Sequence, residues 1–245
     1  PLILLVILFC TVVSVRVTGF NFETLLSGGS RFFDILFDMF PPNTGYLPKI
    51  WTPLLDTIKM SLLGSFVGSV LAIPFAVLAA SNIVTNRAVV FLVRLFLSLV
   101  RTLPTLVCAL IATYIFGLGT MAGTCAIAVF TFAYVGKQLF ELIETVDMGP
   151  FEAMEALGAT RTQAFVTAVF PQVLPTYLSV SLFCLAGNVR YASTRGHVGA
   201  GGLGLIMNEK IGWREYSSVG MILIVLFVTV VAIEGFSHAV RKRLT

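Results

Sequence analysis

The chain has 245 residues, of which 57% are hydrophobic and 11% are charged, and its mean hydropathy is +0.96. A globular domain carries about 25% charged residues, so this composition excludes a water-soluble domain. The net charge of +4 fits basic residues beside membrane helices better than a nucleic-acid surface. Because the long apolar runs lack the alternating pattern of membrane strands, we predict an all-α integral membrane protein.

Residues 1–53 are predicted to form one unit, a first transmembrane helix followed by an extracytoplasmic connection. Residues 2–18 are almost entirely apolar and are predicted to cross the membrane. Since the chain opens apolar at Pro1, without Met, we expect further residues before it in the native protein. Within the connection, residues 31–40 mix aspartates with aromatic residues, which is typical of a helix lying on a membrane surface.

Residues 54–245 are predicted to form the core of the protein. Apolar runs indicate further spans at about 54–80, 88–116, up to 135, 163–189 and 217–239. About six spans in all would place both termini on one side of the membrane. A slight excess of basic residues, including Arg241, Lys242 and Arg243, favours the cytoplasm for the side that holds the C-terminus and the 136–162 loop.

A short, polar-edged helix is predicted at about 150–158, between the fourth and fifth spans. Pro150 suits the first position of a helix, where its missing N–H is not needed. Gly158 suits the left-handed residue that ends a helix. Thr160 and Gln163 then have the spacing of a capping box, which starts a new helix at once. The sequence therefore predicts a helix, a sharp corner and the beginning of the fifth span.

This short helix has an apolar stripe, because Phe151, Met154 and Leu157 recur three residues apart. Glu152 and Glu155 lie beside the stripe. An amphipathic helix of this kind suits a groove on a partner protein or the surface of a membrane. The residues alone leave both partners open.

The segment E-A-M-E-A-L-G at residues 152–158, with A-V-F-P nine residues later, resembles the E-A-A motif of bacterial ABC-importer permeases. That motif reads E-A-A, three residues, Gly, nine residues and I-x-L-P, so Met154, Ala168 and Phe170 depart from it. The resemblance implies that the helix at about 150–158 is a cytoplasmic coupling helix, which seats in a cleft of a separate ATPase. The coupling residues that it implies are Pro150, Phe151, Glu152, Ala153, Met154, Glu155, Leu157, Gly158 and Arg161.

A wider resemblance, to phosphonate-importer permeases, covers roughly residues 50–245. It is carried by N-V-R-Y-A-S-T-R-G-H-V-G-A-G-G-L-G at 188–204, R-T-L-P-T at 101–105, G-L-G at 117–119 and P-Q-V-L-P at 171–175. Ala186 stands where that family has an acidic residue, and Arg195 and His197 replace leucines. Since the family builds its pore lining and gate here, the candidate path and gate residues are Arg101, Pro104, Asn188, Arg190, Arg195, His197, Gly199, Gly201 and Gly202.

Arg101 lies near the middle of the predicted third span. A charge at the centre of a bilayer costs at least about 2.5 kcal/mol, so this arginine is expected to face protein or water. It would either meet an anion on its way through or bond helix-end carbonyls that Pro104 leaves open. Arg190, Arg195 and His197 would make the outer path electropositive, or else belong to a polar loop that faces solvent.

Gly199, Gly201 and Gly204 satisfy the pattern G-x-G-x-x-G, but a dinucleotide site also needs a strand before it and an acidic residue after it. We interpret these glycines as an irregular turn that is buried in protein at membrane depth. The sequence contains no G-x-x-x-x-G-K-[ST] phosphate loop and no catalytic or metal-ligand constellation. We therefore expect no cofactor in this chain, and ATP and Mg²⁺ on the partner ATPase.

Taken together, the resemblances imply a type I permease fold with a core like that of methionine importers. They imply a homodimer in the bacterial plasma membrane, with two cytoplasmic ATPases and an extracytoplasmic substrate-binding protein. The expected cargo is phosphonate or a related phosphorus oxyanion, such as phosphate or phosphite. A methionine, amino-acid or osmolyte importer is the alternative. A secondary transporter or channel without an ATPase is more distant, since carboxylates, which such carriers often use, are scarce in the spans.

Overall fold

The computed structural model describes residues 2–19, 21–196 and 199–243. Within these ranges the protein is helical and has no strand, which confirms the all-α class. A 3-10 turn (Thr44–Tyr46) precedes α3, and a π-helical segment (Phe165–Val169) joins α8 to α9. The helices, in chain order, are α1 (Leu2–Val17), α2 (Phe22–Asp38), α3 (Leu47–Ala79), α4 (Arg87–Thr102), α5 (Thr105–Phe116), α6 (Thr120–Ile143), α7 (Gly149–Ala156), α8 (Arg161–Ala164), α9 (Phe170–Arg195), α10 (Leu203–Gly212) and α11 (Tyr216–Arg241).

Helical stretches that are long and apolar enough to cross a membrane account for most of the chain. Four of them are continuous: Thr44–Ala79, Thr120–Ile143, Arg161–Ala192 and Tyr216–Arg241. Helices α4 and α5 pass the same test as a pair. Helix α1 is apolar but has 16 residues, fewer than the about 20 that a bilayer requires. Length thus supports up to five spans among the described residues, and the predicted sixth would be α1.

The predicted third span, residues 88–116, consists of two helices that are bent at Pro104. Helix α4 ends at Thr102, Leu103 is extended with a ψ of 120°, and Pro104 caps the new helix α5. The two helices meet at an angle of 87°. The cause is local, because the proline ring pushes the residue before it out of the helical region.

Helices α3 and α6 approach each other through glycines. A Cβ atom on Gly64 would lie 2.7 Å from Cγ2 of Ile127, and one on Gly68 would lie 2.5 Å from the carbonyl oxygen of Ala128. No other residue type allows these backbones to come so close, as is common where membrane helices pack through small residues. The α3–α6 pair is therefore a rigid centre against which the other helices pack.

Two clusters of buried apolar residues lie at the two ends of α3. The larger cluster lies at the C-terminal end of α3 and includes Ala72, Ala76, Leu97, Val135, Ile143, Phe151, Phe165 and Val169. The smaller one joins the N-terminal end of α3 to α10 and α11 through Ile50, Leu54, Leu203 and Ile222. Helix α10, within a stretch that reads as Gly-rich and partly polar, thus contributes to the core.

Candidate functional site

The short helix predicted at about 150–158 is present as α7, from Gly149 to Ala156. Pro150 lies in its first turn, together with Glu152, whose charge complements the helix dipole. Gly158 has a φ of +85°, and its N–H donates to the Glu155 carbonyl oxygen at 2.9 Å. No atom lies within 4 Å of a Cβ added there, so backbone conformation rather than space favours glycine at this corner.

The predicted capping box is confirmed immediately after the corner. The backbone N–H of Thr160 donates to Oε1 of Gln163 at 3.0 Å, and the N–H of Gln163 donates to the Thr160 hydroxyl at 3.4 Å. These two bonds satisfy donors that a helix start leaves free. They begin α8, which continues through the π-helical segment into α9.

The predicted apolar stripe of α7 is divided between two environments, which corrects the expectation of a single docking face. Phe151 is 2% exposed and packs in the larger apolar cluster, with Met154 beside it. Leu157 is 83% exposed, and Glu152 and Ala153 are exposed with it. The helix is therefore anchored to its own protein by one face, while the other face is open.

Arg161 links α7 to the turn that follows α3. Its Nε donates to Oε1 of Glu155 on α7 at 3.1 Å. Its Nη1 donates to the carbonyl oxygen of Ile83 at 3.0 Å. Arg161, implied as a coupling residue, thus holds α7 by contacts inside its own chain.

Asn188 is fully buried, so the structure does not place it on an open path surface. Its Nδ2 donates to the Ser65 hydroxyl at 2.8 Å and to the Thr131 hydroxyl at 2.9 Å. These bonds join α9 to α3 and α6 at one point. Asn188 therefore links three helices through its hydrogen bonds in this conformation.

Arg190 is the one other basic candidate of the 188–204 segment whose side chain lies among the described residues. Arg190 forms an ion pair with Glu234 of α11, so its charge is met within the membrane-spanning part of the chain. The side chain of Arg195 and the whole of His197 lie outside the described residues. An electropositive outer path therefore stays a prediction.

Arg101 and Pro104 lie at the break between α4 and α5, and both are exposed. Over the residues that the structure describes, the Arg101 guanidinium forms no hydrogen bond or ion pair. The alternative that Arg101 bonds the carbonyls opened by Pro104 is therefore not what this conformation contains. An exposed, unpaired arginine beside a helix break is available to a ligand or to another chain.

The glycines at 199–202 form an irregular buried turn, as predicted, and we call this segment the glycine loop. Gly199, Gly201 and Gly202 have φ values of +78°, +75° and +71°. The Gly199 carbonyl oxygen accepts from the N–H of Gly119 at 3.0 Å. A Cβ on Gly202 would lie 2.5 Å from Oγ1 of Thr57. The loop therefore needs glycine for both conformation and space.

Two features elsewhere in the structure were not predicted from the sequence. An apolar groove of about 380 Å³ lies between α3 and α9, and Ser65, Ser69 and Ser181 lie among its apolar lining. The Ser69 hydroxyl is buried and has no hydrogen-bond partner in the part of the chain described. Arg94 of α4 forms an ion pair with Glu144 at the end of α6. The serines at 61, 65 and 69 recur every four residues, a signal that could have marked this face.

The profile of one protein family, described as "Binding-protein-dependent transport system inner membrane component", matches residues 72–245. The chain belongs to this family. Its members are membrane permease subunits of ABC transporters and are not themselves the catalytic subunits, so the chain is a permease component of the inner membrane.

Curated relatives extend the match. The Phosphate-import permease protein PhnE of Mycolicibacterium smegmatis is 35% identical over 207 residues, which are 84% of this chain and 39% of that protein. The Phosphite transport system permease protein PtxC of Stutzerimonas stutzeri is 34% identical over 221 residues, 89% of this chain and 80% of the relative. The chain thus spans well under half of the first protein and most of the second.

Among solved structures, the chain resembles the inward-facing MetNI methionine ABC transporter. The TM-score is 0.73 and the identity is 22%, with 83% of this chain and 99% of that chain covered. An identity this low establishes the fold alone. It confirms the predicted type I, methionine-importer-like core.

Proposed function

We propose that the chain is the permease of an ATP-driven bacterial importer for phosphonate or a related phosphorus oxyanion, such as phosphate or phosphite. The observation that carries this proposal is the match to phosphate- and phosphite-named permeases at 35% and 34% identity over more than four fifths of the chain. The methionine alternative has weaker support, since the methionine transporter is 22% identical and shares the fold.

In this proposal, two copies of the chain enclose the translocation path. The exposed Arg101 supports this arrangement, because a charge left facing lipid would be costly and a second copy would cover it. An unpaired guanidinium on the path would attract an anion without holding it tightly. Substrate selection would then rest on an extracytoplasmic binding protein.

The open face of α7 is proposed to dock on the ATPase. Leu157 is the large exposed apolar residue of this corner, and Glu152 and Ala153 flank it on the open side. The buried Phe151 would hold α7 rigidly against its own protein, so that a displacement of α7 would reach the larger apolar cluster. Two ATPases, carrying ATP and Mg²⁺, would seat on the two copies.

This docking would put the α7 corner and the C-terminus on the cytoplasmic side. The basic residues Arg241, Lys242 and Arg243 at the C-terminal end are consistent with that orientation. Residues 1–53 would then supply a first membrane helix and an extracytoplasmic connection in front of the permease core.

The test is reconstitution of the permease with its ATPase and binding protein in proteoliposomes. We expect uptake of labelled phosphate, phosphite or methylphosphonate only when ATP is present on the side of the membrane that holds the ATPase. We expect no uptake of methionine. Leu157→Asp should abolish copurification of the ATPase, whereas Leu157→Met, which keeps an apolar side chain, should retain it. ATP-independent uptake that survives Leu157→Asp would refute an ATPase-coupled permease.

A further inference from the structure

The turn between α3 and α4 (Ala80–Asn86) is fastened to the end of α6 by polar contacts. The backbone N–H of Ser81 donates to Oε1 of Glu144 at 2.8 Å, and the Ser81 hydroxyl donates to the same oxygen. Asn82 Nδ2 donates to the carbonyl oxygen of Ile143 at 2.8 Å. Glu144 and Ile143, at the C-terminal end of α6, thus hold the turn in place.

Arg94 joins α4 to the same point. Its Nε donates to the carbonyl oxygen of Ala79, the last residue of α3, at 2.8 Å. Its Nη2 forms an ion pair with Glu144, and its guanidinium lies 4.8 Å from the centre of the Phe140 ring. Glu144 is therefore the acceptor that α4, α6 and the α3–α4 turn share.

Glu144 is charged at neutral pH. Burial raises the pKa of its carboxyl, but the hydrogen bonds from Ser81 and the charge of Arg94 outweigh burial and hold the pKa below its usual range. Hydrogen bonds to an ionised group are shorter and about twice as strong as those between neutral groups. The contacts around Glu144 therefore make a stiff joint.

Arg161 links the α7 corner to this joint. Arg161 binds Glu155 of α7 with its Nε and the Ile83 carbonyl oxygen of the turn with its Nη1. Ile83 is itself buried in the larger apolar cluster. A continuous series of contacts thus leads from α7 through Arg161 to the turn, and from the turn to α3, α4 and α6.

We propose that the α3–α4 turn is a second coupling element, through which a displacement of α7 moves α3 and α4. Arg161, Arg94 and Glu144 are its positioning residues. Because α4 ends at the break beside Arg101, movement of the turn would reach that arginine along one helix. The inference rests on the proposed function, in which α7 docks on the ATPase.

The test uses the assembled importer, with ATPase and binding protein, in proteoliposomes. It measures the amount of ATPase that copurifies with the permease and the stimulation of ATP hydrolysis by the binding protein with its copurified ligand. Glu144→Gln is compared with Glu141→Gln. The control removes a carboxylate one turn earlier on α6, whose ion pair with Lys137 at 3.3 Å stays within that helix.

We expect Glu144→Gln to keep the ATPase bound but to lower the stimulation about fivefold or more, the lower end of typical coupling free energies. Glu141→Gln should leave the stimulation at the wild-type level. Ser81→Ala removes one donor and no charge, and it should lower the stimulation in the same direction by a smaller factor. The test therefore does not depend on a single variant.

Equal stimulation in the wild type, Glu144→Gln and Ser81→Ala would overturn the inference. A parallel loss of assembled complex and of stimulation would overturn it as well, since a merely structural role predicts that result. Failure of the proposed function is a different outcome: Leu157→Asp would keep the ATPase bound, or the wild type would take up none of the three phosphorus oxyanions. The stimulation by the binding protein is measured separately from both.

Discussion

The two ends of α3 are held by different chemistry. At the C-terminal end, the α3–α4 turn is fastened by charged side chains, Arg94, Glu144 and Arg161. At the N-terminal end, the glycine loop is held by close backbone contact and by the Thr57 hydroxyl, which accepts from the N–H of Leu203 at 2.8 Å. Side chains can exchange partners while a backbone stays intact. A backbone that is packed in a space too small for a Cβ atom has far less freedom to move.

This difference separates two mechanical roles. The C-terminal end of α3 is suited to transmit movement, because charged side-chain contacts join it to α4, α6 and the α7 corner. The N-terminal end is suited to keep α3, α6 and the glycine loop in register, since packed interiors do not deform continuously. Substitutions at the two ends should therefore have different consequences, stability at one and coupling at the other.

The largest effect is expected at the glycine loop. Gly202→Ala adds a Cβ that would lie 2.5 Å from Oγ1 of Thr57, at a φ of +71°. Overpacking and left-handed strain together should lower the free energy of unfolding by about 3 kcal/mol, measured by thermal unfolding in detergent. Gly212→Ala is the matched control, because no atom lies within 4 Å of its added Cβ. Similar melting of both variants would contradict the close fit of this loop.

A smaller effect is expected at Asn188, whose hydrogen bonds lie between the two ends of α3. Asn188→Leu removes two interhelical hydrogen bonds and should destabilise the protein by about 1 kcal/mol, since such bonds contribute on average about 0.6 kcal/mol each in membrane proteins. Ser69→Ala removes a buried hydroxyl that has no partner among the described residues, and it should be neutral or stabilising. A larger loss of stability in Ser69→Ala than in Asn188→Leu would show that the polar contacts are differently arranged.

A smaller effect still is expected at the α7 corner, where space is free and only the backbone is strained. Gly158→Ala places a side chain at a φ of +85°, which costs about 1 kcal/mol. Gly158→Asn should be tolerated better, because asparagine adopts this conformation more readily. The measurement is the affinity of the permease for its ATPase, expected to fall several-fold in the alanine variant. Equal affinities for Ala and Asn would mean that the corner does not limit docking.

The smallest effect is a pH dependence at the α3–α4 turn. The folded pKa of Glu144 lies below the value of 4.5 expected for a free carboxyl, so its ionised form stabilises the folded state. That contribution is present above about pH 4.5 and is lost as the pH falls through the folded pKa. The difference in melting temperature between wild type and Glu144→Gln should therefore shrink on acidification. A difference that grows at low pH would have the wrong sign for this ion pair.

Local sequence predicted the backbone well wherever a few neighbouring residues decide it. Gly158 ends α7, Thr160 and Gln163 form their capping box, and the glycine loop is an irregular buried turn. The angle at Pro104 was not predicted. Residues 88–116 were predicted as one span, but α4 and α5 meet there at 87°, because the residue before a proline disfavours the helical conformation.

The sequence by itself determined the class of the protein, a helical membrane protein with a charged corner, because hydropathy, caps and turns act over a few residues. Tertiary structure decided which face of each helix is used. It buried Phe151 and left Leu157 open on the same helix, paired Arg190 with Glu234 and enclosed Asn188 among α3, α6 and α9. The physical reason is that burial and pairing depend on what packs against a residue, and residues distant in sequence supply those partners.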